Sequence, residues 1–353
     1  MKTRKLLFIL AVCAAGHANL GMAQSNQPVK IGILNDQSGP YSSITGPGAV
    51  VAARLAVEDV GGTLLGRPVE VLVADHQHKP DIGASIARRW FDTDGVSAIF
   101  DIYNSGVALA VQKIAEDKNK LLISTVNSGE LTGKSCSHNG MQWGPDSYAL
   151  ATLTVKGVDE TKPSSWYFLT VDYTAGHSLE QYARQTVEKM GGKVMGAVRF
   201  PLGTTDFSSF LLQAQTSKAN NVAIVGGGAD VLNAAKQADE FQLQRTGQRL
   251  VTPSMTTAEA AALDSKMGAG LPIVFSFYWD QSPETRAWAE RFRKIHGSLP
   301  TDIQANVYRK VCTNLQISCY ARCSVFGTIE RHEASRPWPE PECQAHAQAA
   351  LSR

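Results

Sequence analysis

From Val29 onward the chain alternates short β-branched runs with segments of helical period, and this rhythm restricts the architectures open to it. Lys30–Leu34 (KIGIL) reads as a strand and Val50–Val60 as a helix ended by Gly61-Gly62. Val69–Ala74 (VEVLVA) is the next strand, followed by a helix over Ile82–Phe91 with Asp81 as its N-cap. Ala98–Ile102 and Leu121–Ser124 are strands on either side of a helix over Ala108–Lys118. A loop-rich passage over Gly133–Pro145 interrupts the pattern, which then restarts. Helices are expected over Tyr148–Gly157, Ser178–Met190, Phe207–Ser217 and Val231–Phe241, with strands at Ser165–Thr170, Val194–Phe200, Asn221–Val225 and Arg249–Thr252 between or after them. Pro272–Tyr278 (PIVFSFY) reads as a last strand before a helix over Pro283–His296. Strands separated by helices in this way predict parallel sheets covered on both faces. The fold class is therefore α/β, with two doubly wound lobes of similar build, residues 28–145 and 146–275.

A chain of 353 residues is long enough for two domains, each with its own core. The N-terminus has the three-part layout of a secretory signal peptide. Lys2, Arg4 and Lys5 form a basic start, Leu6–Ala15 is a short apolar run, and Gly21-Met22-Ala23 sets small residues before a cleavage point at Gln24. The expected mature protein is exported to the periplasm. Cys13 follows β-branched Val12 rather than a small residue, so a lipid anchor there is not expected. Loss of residues 1–23 removes three basic residues and no acidic one, moving the formal charge from +2 to about −1. A near-neutral chain without basic clusters gives no footprint for nucleic acid or an anionic membrane.

In open sheets of this kind, ligands sit beyond the carboxyl ends of the strands. The loops in those places are rich in small polar residues and poor in catalytic ones. They are Asp36-Gln37-Ser38-Gly39-Pro40-Tyr41, Tyr103-Asn104-Ser105-Gly106, Thr125-Val126-Asn127-Ser128-Gly129, Asp172-Tyr173-Thr174-Ala175-Gly176, Gly226-Gly227-Gly228-Ala229-Asp230 and Pro253-Ser254-Met255-Thr256. Hydroxyls, amides and free backbone N–H groups at helix starts suit an anionic group such as a carboxylate. The competing explanation for any one loop is that its Asn and Ser only cap a helix.

Enzymatic motifs are missing. Gly226-Gly227-Gly228 lacks dinucleotide-loop spacing, and the chain has no P-loop lysine, no G-x-S-x-G elbow and no H-E-x-x-H. His76 and His78 lie beside Asp75 and Asp81 but read as polar residues leaving a strand. Cys319 and Cys323 share a short spacing without a regular partner pattern. No metal or cofactor is expected, and the chain is not expected to be an enzyme.

The segments KIGILNDQSGPYSSITGPGAVVAARLAVEDVGG, FDIYNSGVALAVQKIAEDKNKLLISTVNSGELTG and FLTVDYTAGHSLEQYARQTVEKMGGKV together resemble the branched-chain amino-acid-type (Leu/Ile/Val-binding-like) periplasmic solute-binding proteins of ABC importers. The resemblance runs in order from about Val29 to Tyr308. It implies a type I periplasmic binding protein fold, in which two Rossmann-like lobes joined by a hinge of three crossovers close over a central cleft. It also implies that residues from about 276 to 308 return to the first lobe. The implied ligand contacts in the first lobe are Tyr41, Asn104, Ser105, Val126, Asn127 and Ser128. Those in the covering lobe are Tyr173, Ala175, Gly227, Gly228 and Ser254, with a late aromatic at Tyr278 or Trp279. The implied role is capture of a small polar or carboxylate-bearing solute by a monomer, for delivery to a membrane permease. A ligand-sensing regulator of the same fold is the alternative. In such amino-acid binders an acidic residue of the covering lobe meets the α-ammonium, and that place falls near Ser254 or Met255 here. An acid or amide without an α-amino group therefore fits at least as well as leucine.

After Tyr308 the sequence changes character. Cys312, Cys319, Cys323 and Cys343 crowd together, and Pro337, Pro339 and Pro341 alternate in a way that forbids both helix and central strand. Residues 309–353 are read as a divergent or frameshifted tail.

Overall fold

The computed structural model describes residues 27–315 apart from 264 and 269. The leader, Cys13, Cys319, Cys323, Cys343 and the proline-rich end lie outside the described residues. The first half runs β1 (Val29–Asn35), α1 (Gly46–Asp59), β2 (Thr63–Leu64), β3 (Arg67–Asp75), α2 (Pro80–Arg89), β4 (Val96–Phe100), α3 (Ser105–Asp117), β5 (Leu121–Ser124) and β6 (Gly140–Gln142). These strands form one sheet in the order β2-β3-β1-β4-β5-β6. Every pairing is parallel except the short β2–β3 contact. The second half runs α4 (Ser147–Val158), β7 (Ser165–Val171), α5 (Thr174–Lys189), β8 (Lys193–Phe200), α6 (Ser208–Ser217), β9 (Asn221–Val225), α7 (Gly228–Glu240) and β10 (Arg249–Val251). Its sheet has the order β10-β9-β7-β8 and is wholly parallel. Short helices α8 (Thr257–Ala261) and α9 (Ser265–Gly268) follow, then α10 (Pro283–His296) and α11 (Asp302–Leu315).

The period-2 geometry of a strand sends alternate side chains to opposite faces, and both sheets use this to bury two cores. In β1, Ile31 and Ile33 enter the core beneath α1, α10 and α11, whereas Leu34 joins the core beneath α2 and α3. Gly32 lies on that second face, where a Cβ would come within 2.3 Å of the Trp90 ring. In β7, Tyr167, Leu169 and Val171 face one core, and Trp166 and Phe168 face the other.

The segment after the second sheet packs on the first. Trp288, Ala289 and Phe292 of α10, with Ala305, Val307, Tyr308 and Val311 of α11, pack against the alanine face of α1 (Ala49, Ala52, Ala53, Ala56). Arg291 grips Asp59 through two nitrogens at 2.9 and 3.0 Å, and the Tyr308 hydroxyl donates to the same carboxylate at 2.7 Å. The sequence boundary at 308/309 falls inside α11, which continues through buried Val311, Cys312 and Leu315. Lys310 on that helix is also fully buried, and its Nζ has no hydrogen-bond partner among the described residues. Burial pushes this ammonium down to about 7, against the attraction of Asp101.

Three sequence expectations change. Pro272–Tyr278 is not a strand, because it pairs with no sheet: Phe277 is buried while Phe275 and Tyr278 are exposed. Asp81 is not the N-cap of α2, since Lys79 holds that place, Pro80 starts the helix and Asp81 lies in its first turn. The loop-rich passage contains β6, which pairs parallel with β5.

Candidate functional site

The carboxyl ends of the two sheets meet at a cleft. After β1, Asp36 organises the turn by accepting hydrogen bonds from Gly39 N (2.7 Å) and Tyr41 N (2.8 Å). His78 Nε2 lies 2.6 Å from the same carboxylate. Burial works against the charge of Asp36, but the His78 contact and the two N–H groups hold its carboxyl below the ordinary value. The turn sends Tyr41 into the cleft, where its hydroxyl meets that of Tyr173 from the second sheet at 3.0 Å. The Tyr41 ring packs edge-on against Tyr103 and His78, at centroid distances of 5.4 and 4.9 Å. Burial pushes the Tyr173 phenol up to about 12 and raises those of Tyr41 and Tyr103, so all three remain neutral donors at physiological pH.

The same turn dictates glycine in the loop opposite. Gly228 has φ +62°, and a Cβ there would come within 2.3 Å of the Pro40 carbonyl oxygen. A Cβ on Gly227 would lie 3.3 Å from Ile44. Only a bare backbone lets the two halves approach this closely.

Two adjoining cavities occupy the cleft, with about 250 and 380 Å³ of empty space including their mouths. The first is lined by Tyr41, Tyr103, Tyr173, Ala175, Gly176, Leu179 and Gly227, among others. The second is lined by Thr125, Pro145, Leu150, Thr256, Asp302 and Ile303, among others. Tyr103, Asn127 and Ser254 border both.

Of the sequence-nominated residues, Tyr41, Asn127, Tyr173, Ala175, Gly227 and Ser254 line the cavities directly. Gly228 is in the closure contact beside them. Asn104 caps α3: its Oδ1 accepts from Val107 N at 3.0 Å, and its Nδ2 lies 3.1 Å from His78 Nδ1. Ser105, the first residue of α3, is fully buried with no partner for its hydroxyl among the described residues. Val126 belongs to the core beneath α2 and α3, and the Ser128 hydroxyl accepts from Glu130 N at 3.2 Å, so neither side chain lines a cavity. The late aromatics are a correction. Tyr278 is exposed and stacks on Phe275, while Trp279 packs against the core beneath α1. Without a strand over Pro272–Tyr278, nothing carries these rings to the cleft.

Three buried carboxylates border the site. Asp230, in the first turn of α7, receives Gly203 N through both oxygens at 3.0 and 3.1 Å, and burial pushes its carboxyl up to about 6. Glu259 is the N3 member of the α8 capping box with Thr256, accepts from Thr256 N at 2.6 Å, and also receives Gly228 N at the start of α7. Burial pushes it up to about 7. Asp302 opens α11, and burial pushes it up to about 6. Glu259 and Asp302 escaped the sequence reading because they lie on helices outside the strand-following loops; the T-x-x-E pattern at Thr256–Glu259 was the available signal.

The periplasmic binding protein family model matches residues 28–316. A solved periplasmic binding protein from Burkholderia mallei is 39% identical, covers 82% of this chain and 77% of its own, and superposes with a TM-score of 0.80. A branched chain amino acid ABC transporter periplasmic ligand-binding protein from Burkholderia xenovorans LB400 is 37% identical, with 81% and 77% coverage and a TM-score of 0.71. Among curated proteins, a Leu/Ile/Val-binding protein homolog 6 from Brucella melitensis is 24% identical over 279 residues, 76% of this chain and 70% of that relative. Among the described residues, no helix is long and apolar enough to cross a membrane.

Proposed function

Since the chain belongs to the periplasmic binding protein family, we propose that it is an extracytoplasmic solute receptor, exported by its leader, that captures a small carboxylate-bearing ligand and delivers it to the permease of an ABC importer. The observation that carries this reading is the Tyr41–Tyr173 bridge over two cavities walled by both halves of the chain. A ligand held there touches both sheets, so binding strengthens the contact between them and favours the closed form. The Burkholderia xenovorans relative, named as a branched chain amino acid binder, supports an amino-acid-sized solute.

The proposed seat of the ligand's carboxylate is the start of α3, beside the cavity-lining Tyr103. Backbone N–H groups and the helix dipole favour an anion there, and the Ser105 hydroxyl has a hydrogen bond to give. The neutral phenols of Tyr41, Tyr103 and Tyr173 wall the apolar part of the solute. Among the described residues, the named side chains lining the cavities include no His and no Cys.

Thermal-shift titration with amino acids, short amides, urea and aromatic carboxylates tests this directly. Saturable stabilisation by one class, with the compound recovered unchanged, is the expected result. Chemical conversion of the bound compound would overturn it.

A further inference from the structure

We infer that Asp302, in the lining of the second cavity, is a recognition residue for an ammonium group on the ligand. The inference deepens the solute-receptor reading and rests on it.

Three buried carboxylates border the cleft, and two are already engaged. Asp230 holds Gly203 N with both oxygens. Glu259 holds Gly228 N and Thr256 N. The Asp302 carboxyl is held by Ser276 Oγ, which reaches Oδ2 at 3.4 Å, and by the backbone N–H groups of Ser276 and Ile303, but Oδ1 has no hydrogen-bond partner among the described residues. The side chain is 94% buried, on the 6% exposure of the residue, and it lines the second cavity. A buried carboxylate oxygen without a donor is destabilising, so a ligand that supplies the donor recovers that cost.

The surroundings favour a cationic donor over a neutral one. The named lining of this cavity includes no Lys, Arg or His, and Glu259 adds a second acidic group acting on Asp302. The other polar neighbours, Tyr103, Thr125, Asn127, Ser254 and Thr256, are neutral. A primary ammonium brings three donors, enough for Oδ1 and for hydroxyl or carbonyl oxygens beside it. Recognition of the ammonium would then fall to the half built on the first sheet.

The test uses the mature full chain and matched probes: L-leucine against 4-methylpentanoate, and L-phenylalanine against 3-phenylpropanoate, measured by calorimetric titration. Wild type is expected to bind the amine-bearing member of at least one pair ten-fold or more tightly than its des-amino partner. Asp302→Asn should cut that affinity at least ten-fold and leave the des-amino acid within two-fold. Asp302→Ser keeps an oxygen at the helix start and should give the same selective loss, which separates recognition from a folding defect read by circular dichroism. Equal weakening of both members, or no change in either, would overturn the inference, as would tighter binding of the des-amino acid by wild type. If these probes and the amides and aromatic acids all fail to bind wild type, the solute-receptor reading fails with it.

Discussion

The two sheets are built alike, yet the buried polar atoms beside their cleft-side helix starts are paired in one half and left open in the other. In the second half, α7 begins against an internal anion: Glu259 takes Gly228 N, and Asp230 fills the first turn. In the first half, α3 is capped by Asn104 and α11 by Thr301, yet the Ser105 hydroxyl and Asp302 Oδ1 beside those caps have no partner among the described residues. A buried polar atom that is already paired has little left to offer a ligand, while an unpaired one lowers its energy by taking a partner. The comparison assigns the halves different work. On the proposed function, the first recognises the solute and the second supplies a close-fitting cover.

The largest expected effect breaks the cover. Gly228→Val places a β-branched side chain at φ +62° and against the Pro40 carbonyl, so closure should fail and ligand affinity drop by more than roughly 100-fold, on the order of 3 kcal/mol. Calorimetric titration measures the loss, and an unfolding curve checks that the apo protein survives. Next is Glu259→Gln. The folded-state carboxyl of Glu259 lies at about 7, above its ordinary value near 4.5. The folded protein therefore binds this proton more tightly than the unfolded chain, and stability falls as pH rises from about 4.5 through 7. Removing the acid should flatten that fall by ~1–3 kcal/mol in denaturant titrations across the same window. A slope as steep as wild type would mean that Glu259 is not the anion that fills the α7 start.

Smaller effects sharpen the recognition side. Ser105→Ala should leave the apo melting temperature within a degree or two, because its hydroxyl has no internal bond to lose, while ligand affinity falls about ten-fold, or ~1.4 kcal/mol. Tyr41→Phe removes one hydroxyl of the 3.0 Å bridge to Tyr173 and should weaken binding a few-fold, ~0.5–1 kcal/mol. Tyr41→Phe and Tyr173→Phe should be non-additive in a double-mutant cycle.

Much of this fold is written locally. Helix α10 spans the expected Pro283–His296 because each boundary has its own signal: a capping box of Ser282 and Thr285, proline at the first position and left-handed Gly297 at the end. The strands of both sheets are apolar runs between such boundaries, so the α/β class follows from the sequence. Pro272–Tyr278 misleads because an apolar run records only the tendency to be buried, and the pairing partner that makes a strand is set by distant chain. The three residues of β6 are too few to show a period at all.

The site divides in the same manner. Tyr41, Asn127, Tyr173, Ala175, Gly227 and Ser254 were legible because the carboxyl ends of parallel strands must face one another. Asn104 and Ser128 turned out to serve their own backbones. Glu259 and Asp302 were not legible as site residues, since their importance depends on which buried oxygen finds a donor, and that is decided by packing between segments far apart in sequence. The contrast between Asp230, with both oxygens occupied, and Asp302, with one left open, cannot be read from two aspartates near helix starts.

Solution scattering by wild type and Gly228→Val, each with and without a saturating ligand from the thermal-shift screen, tests the division of labour most directly. The account predicts that ligand reduces the radius of gyration of wild type but not of Gly228→Val, even at concentrations where the variant is fully bound. An unchanged radius for liganded wild type, or an equal contraction of the variant, would contradict it.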